Sequence, residues 1–185
     1  MRRAMMAVAA LALSLACGKD PVSYSGPVGI SLTARSNDVT DGNISVDKNV
    51  NTETGNPCGA YVHAAEQALG HVPSAIQVQS VTLALQPNST GVTGLQQVFG
   101  GTATVSFVLN GSGTVYPVAA VANPSGAGPV AMPLLTPPPT LTPADYADIV
   151  GCNFKVELDG PAAAGFATAG NTALMVATFE FVALD

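Results

Sequence analysis

Alternation of apolar and polar positions dominates the chain. In VGISLTAR, residues 28–35, Val28, Ile30, Leu32 and Ala34 fall on one side of an extended backbone, with Ser31, Thr33 and Arg35 on the other. That pattern predicts a half-buried strand. After the loop SNDVTDG, a second run sets Ile44 and Val46 opposite Ser45 and Asp47. In IQVQSVTLAL the apolar positions change parity: Ile76 and Val78 are even-numbered, whereas Val81, Leu83 and Leu85 are odd. A strand has a period of two, so both sets face one core only if an extra residue near Gln79 and Ser80 forms a β-bulge; the alternative is a strand that changes sheet there.

Further along, Ala103, Val105, Phe107 and Leu109 alternate up to NGSG, and another run follows from Thr114 to Ala122. Asn-Gly between two strand-like runs predicts a hairpin. Pro117 cannot donate to a ladder, which places the second arm at a sheet edge. NPSGAGP then turns the chain into the brief run 130–135. NFKVEL directs Phe154, Val156 and Leu158 inward, and ALMVATFEFVAL, residues 173–184, alternates so little at its start that a central strand covered on both faces is expected.

Two short helices interrupt these strands. Tyr61, Ala65, Ala68 and Leu69 recur at helical spacing ahead of Gly70. After an extended proline run, Thr142 suits an N-cap, Pro143 the first helical position and Asp145 the third, with Leu141 and Tyr146 as a hydrophobic staple and Gly151 as the stop. About eight strands with two connecting helices predict an all-β, antiparallel two-layer β-sandwich, with jelly-roll connections as one topology and a closed β-barrel as the alternative.

Composition narrows the function classes. Charged residues are only 10% of the 185 and the formal net charge is −6. So few cations cannot neutralise a phosphate backbone, which argues against nucleic acid as a partner. An apolar fraction of 48%, much of it alternating, indicates a folded domain despite the low charge.

The N-terminus carries an address. Arg2 and Arg3 precede an apolar block from Ala4 to about Leu15, and small residues lead to Cys17. This is the layout of a secretory signal peptide, and its apolar block is shorter than the roughly 20 residues a membrane-spanning helix needs. LSLAC, residues 13–17, resembles the lipobox of bacterial lipoproteins, with Ser14 where the commonest pattern has Leu. The resemblance implies cleavage before Cys17, a diacylglyceryl thioether on its sulfur, an acylated amine and attachment to a membrane. Gly18, where inner-membrane lipoproteins often have Asp, points to the outer membrane of the cell envelope. Ser14 and Ala16 also meet the small-x-small rule of an ordinary signal peptide cut at the same place. The expected organisation is a removed peptide at 1–16, a lipid-bearing cysteine and tether at 17–27, and a domain at 28–185. Loss of Arg2 and Arg3 takes the formal charge to −8.

Three cysteines are present, so a lipidated Cys17 leaves Cys58 and Cys152 as an even pair in an oxidising compartment. Cys58 precedes the first helix and Cys152 follows the second, so a disulfide would staple two connections; two separate buried thiols are the alternative.

Candidate chemistry is sparse. His63 and Glu66, three apart, share a helix face and are the one acid–base pair available to an enzyme, without a visible nucleophile or third ligand. Asp38, Asp41, Asn43 and Asp47 collect oxygen ligands of the kind Ca²⁺ prefers, but not at EF-hand spacing. FGGT (99–102) and NGSG (110–113) do not lie between a strand and a long helix, so they read as turns and Ser112 as a turn serine. With no Trp, four Tyr and six Phe, little aromatic surface is available for sugar stacking. No catalytic residue, cofactor or metal is assigned. The expected function is a non-enzymatic, lipid-anchored envelope protein of structural, adhesion or protein-binding type. A small-ligand or Ca²⁺-binding lipoprotein is the second reading and an enzyme using His63 and Glu66 the third.

Overall fold

The computed structural model describes residues 23–136 and 140–185. Nine strands run through these residues: β1 (Ser23–Arg35), β2 (Val39–Thr40), β3 (Asn43–Asn49), β4 (Ala75–Leu85), β5 (Thr102–Leu109), β6 (Val115–Ala122), β7 (Val130–Met132), β8 (Phe154–Pro161) and β9 (Thr172–Leu184). Helix α1 (Pro57–Leu69) lies between β3 and β4, and α2 (Pro143–Val150) between β7 and β8. The expected signal peptide, Cys17 and the expected tether as far as residue 22 fall outside the described residues, as does the proline run at 137–139.

One sheet has the order β1-β9-β4-β7 and the other β2-β3-β8-β5-β6, with every pairing antiparallel. With the two-residue β2 set aside, the first strand lies beside the last, the second beside the second last, β4 beside β7 and β5 beside β6. The chain is therefore one long hairpin, its tip between β5 and β6, rolled into two layers. This is the expected β-sandwich, with jelly-roll connections. Among the described residues the sheets do not close into a barrel; an isolated bridge between Ala119 and Leu134 joins them at one corner.

Alternation decides what fills the space between the layers. Val28, Ile30, Leu32 and Ala34 of β1 and Met175, Ala177 and Phe179 of β9 are buried, as are Ile44 of β3, Val105 of β5, and Phe154, Val156 and Leu158 of β8. Burying a Leu, Ile, Val, Met or Phe side chain stabilises the fold by about 1.5–3 kcal/mol, so this interior dominates the energetics.

Local chemistry sets the helix ends. Asn56 adopts φ 43° and accepts from the Gly59 amide at 3.1 Å, Pro57 opens α1, and Gly70 closes it at φ 80°. α1 thus begins earlier than its apolar spacing suggested. In α2 the Thr142 hydroxyl accepts from the Asp145 amide at 3.2 Å, and Gly151 follows the last turn, as the sequence predicts.

Four expectations need correction. β1 begins at Ser23 rather than Val28, because Ser23–Pro27 pair with Glu180–Leu184; strand pairing organises a stretch that has no apolar periodicity. Val39 and Thr40, read as loop, form a small hairpin with β3 over Asp41 and Gly42, whose φ values of 51° and 77° suit a tight two-residue turn. The β5–β6 hairpin forms over a longer loop than Asn110-Gly111, and the left-handed residue is Gly113 at φ 69°. β9 is central, between β1 and β4, but only one face is fully buried; Leu174, Val176, Val182 and Leu184 are half-buried on the outer face.

Candidate functional site

The bulge in β4 borders a concavity between the two layers. β4 pairs with β9 along its length, and the register shifts between Val78 and Ser80, so Gln79 is the extra residue. Ile76 and Val78 consequently stay on the core side with Val81, Leu83 and Leu85. On its other edge β4 is covered by β7 only over Val81–Leu83. Its first half is left without a neighbour, opposite the edge strand β6, and there the layers part around a cavity of about 430 Å³.

Each wall comes from a different element. Phe107 and Phe181 line the core side, their ring centres 6.2 Å apart. They belong to an aromatic chain in which Phe107 stands 4.9 Å from Phe154 and 5.1 Å from Phe179, while Tyr61 stands 5.5 Å from Phe181. Burial raises the Tyr61 phenol to about 12. A second bulge, in which β6 pairs Pro117 with Ser106 and Ala119 with Val105, leaves Val118 as the unpaired residue, and Val118 lines the cavity. Leu134 and Leu135 run across the corner after β7, and Leu141 and Ile149 enter from α2 and its approach. Gln77, Thr136 and Tyr116 are the polar residues of the lining.

Tyr116 is held from behind. Its hydroxyl donates to Asp145 Oδ2 at 2.6 Å, Thr142 Oγ1 donates to the same oxygen at 2.8 Å, and Ser112 Oγ donates to Oδ1 at 3.0 Å. Asp145 is only 5% exposed. Hydrogen bonds from Tyr116 first, then Thr142, hold its carboxyl below the usual range, and the same bond raises the Tyr116 phenol. An ionised carboxylate thus sits behind the lining, its oxygens occupied by three hydroxyls.

The helices that close this end are joined covalently. Cys58, in the first turn of α1, and Cys152, just after α2, form the expected disulfide, with Cα atoms 6.0 Å apart across 94 positions. Closing a loop of that length stabilises the fold by about 4–5 kcal/mol on the chain-entropy model.

The residues singled out for chemistry are dispersed. His63 is exposed on α1, and its Nε2 lies 3.1 Å from the Gln67 amide, one turn on, rather than against Glu66. His71 pairs in solvent with Asp185 at 2.7 Å. Asp38 accepts from the Arg35 amide at 2.7 Å, the Asn43 amide donates to the Asp41 carbonyl at 3.1 Å, and Asp47 pairs with Lys155 at 3.2 Å. The four oxygen-bearing residues thus serve separate local contacts, and no group of three His, Cys, Asp or Glu side chains able to hold a metal occurs among the described residues. Gly100 in FGGT donates to the Pro161 carbonyl at 2.9 Å, a connection between strands. No helix among the described residues is long and apolar enough to cross a membrane.

Sequence reasoning found the bulge but not the cavity it opens. It also read Ser112 as a turn residue and Thr142 and Asp145 as a helix cap, without joining them to Tyr116. Asp145 lies 29 positions from Tyr116 and 33 from Ser112, and no local pattern relates positions so far apart. Comparison with protein-family models, with curated proteins and with solved structures yields no match.

Proposed function

We propose that this chain is an exported, lipid-anchored binding protein of the bacterial envelope, without a catalytic role, that takes a small apolar ligand between β4, β6 and α2. The cavity carries the reading. Its volume of about 430 Å³ lies in the range of small-molecule sites, roughly 300–1,000 Å³, and an aliphatic and aromatic lining with a few polar groups is typical of them. Sequence alone ranks protein contact or envelope architecture first and ligand binding second; the cavity supports the reverse order. The anchor rests on LSLAC and Cys17, with Gly18 favouring the outer membrane, and β1 begins only six residues after Cys17.

Intact mass and fractionation of the mature protein test the anchor. The parent is expected in the membrane fraction with acyl mass on Cys17, taking up two alkyl groups only after reduction, while Cys17→Ser is expected in the soluble fraction. A bare chain starting at Cys17 in the soluble fraction overturns the anchored reading.

A further inference from the structure

We infer that the cavity holds one acyl chain bearing an uncharged head, of the monoacylglycerol type, supplied by the adjoining membrane. The source rests on the anchored reading above; the binding does not.

Size sets the first constraint. At about 30 Å³ for a group the size of a water molecule, which is also about the size of a methylene, 430 Å³ corresponds to about 14 such groups, one chain rather than two. The side chains around it are aliphatic and aromatic on the core side, as an alkyl chain requires.

Charge selects the head group. None of the described lining residues is charged, so nothing there would compensate a buried carboxylate or phosphate. The Asp145 carboxylate behind Tyr116 repels an anion, and the formal charge of −8 after cleavage adds to that field. A cation finds no carboxylate among the described lining residues, and the Asp145 oxygens already accept from three hydroxyls. Hydroxyl and ester groups suit the uncharged polar residues Thr136 and Tyr116 of the lining.

Position identifies the supply. Ser23 pairs with Leu184 and Leu184 with Ala75, next to the lining residue Ile76. Two strand spacings put the start of β1 about 10 Å from the start of β4. The six residues from Cys17 to Ser23 span at most about 20 Å. A lipid on Cys17 therefore holds the cavity end of the sandwich close to the bilayer.

The test uses the full chain with Cys17→Ser, exported and purified without detergent, titrated with the uncharged fluorophore N-phenyl-1-naphthylamine. One saturable site is expected, emptied by monolauroylglycerol and at least tenfold less effectively by laurate. Val118→Trp inside the cavity and Leu135→Trp at its rim should each weaken binding at least tenfold with circular dichroism unchanged. Native mass spectrometry of the lipidated parent released from membranes should show one neutral acyl lipid that Val118→Trp lacks. Absence of saturable binding, laurate equal to monolauroylglycerol, or parent-like binding by both folded tryptophan variants overturns the ligand assignment. Binding in the assay with no lipid on the membrane-derived protein overturns the membrane supply. A failed anchor is read separately, from the mass of Cys17.

Discussion

The Tyr116 hydroxyl donates to Asp145 Oδ2 at 2.6 Å across 29 positions of sequence, and this bond fastens the β5–β6 hairpin to the first turn of α2. It also fixes the ring that borders the cavity. Asp145→Ala is expected to lower the melting temperature more than Tyr116→Phe, because it leaves three hydroxyls without their acceptor rather than removing one donor. Equal melting temperatures for both variants and the parent would show the contact to be energetically neutral.

Stability should respond to pH in two opposed steps. Glu157 is raised above its usual 4.5, by burial first and then by Asp159 and Asp47, and burial raises Asp159 above 3.8. A raised folded value gives stability that is complete below the unfolded value and lost as pH climbs through the folded one. Asp145 is lowered, so its contribution is present above 3.8 and disappears as pH falls through its folded value. Urea midpoints are expected to rise from pH 7 towards pH 4.5 and to fall at lower pH. Glu157→Gln should raise the midpoint at pH 7 and flatten the upper step, while Tyr116→Phe should shrink the lower one.

Removal of the disulfide should be costly. The pair Cys58→Ser with Cys152→Ser is expected to lose about 4–5 kcal/mol, the value for closing a long loop in the unfolded chain. Urea unfolding of this variant and of reduced parent should agree, and a loss below about 1 kcal/mol would place the stabilisation of this end in the helix packing instead.

Deletion of Gln79 tests how the bulge serves the site. Without the extra residue, pairing with β9 turns Ile76 and Val78 away from the core and brings Ala75 and Gln77 inward. The expected result is a loss of about 2–4 kcal/mol from two displaced apolar side chains, together with loss of fluorophore binding. Binding that survives the deletion would detach the cavity from the bulge.

Much of the fold was written locally. The period of two in β1, β3, β5 and β8, the parity change at Gln79, Pro117 on an edge, and the caps at Gly70 and Thr142 depend on a residue and its near neighbours, which a linear reading contains. The pairing of Cys58 with Cys152 followed from residue count and compartment. Other features depended on partners far away in the chain. Ser23–Pro27 are a strand because β9 lies beside them, and the outer face of β9 is half-buried because no element among the described residues covers it fully. Asp145 collects the Ser112 and Tyr116 hydroxyls only after the hairpin has rolled onto α2. The cavity borders the edge where β7 stops short and leaves the first half of β4 without a neighbour on that side. Short-range periodicity specifies elements and faces, whereas strand order and the gaps between layers arise when the elements compete to cover one another. For this protein the sandwich belongs to the first kind of information, and the cavity to the second.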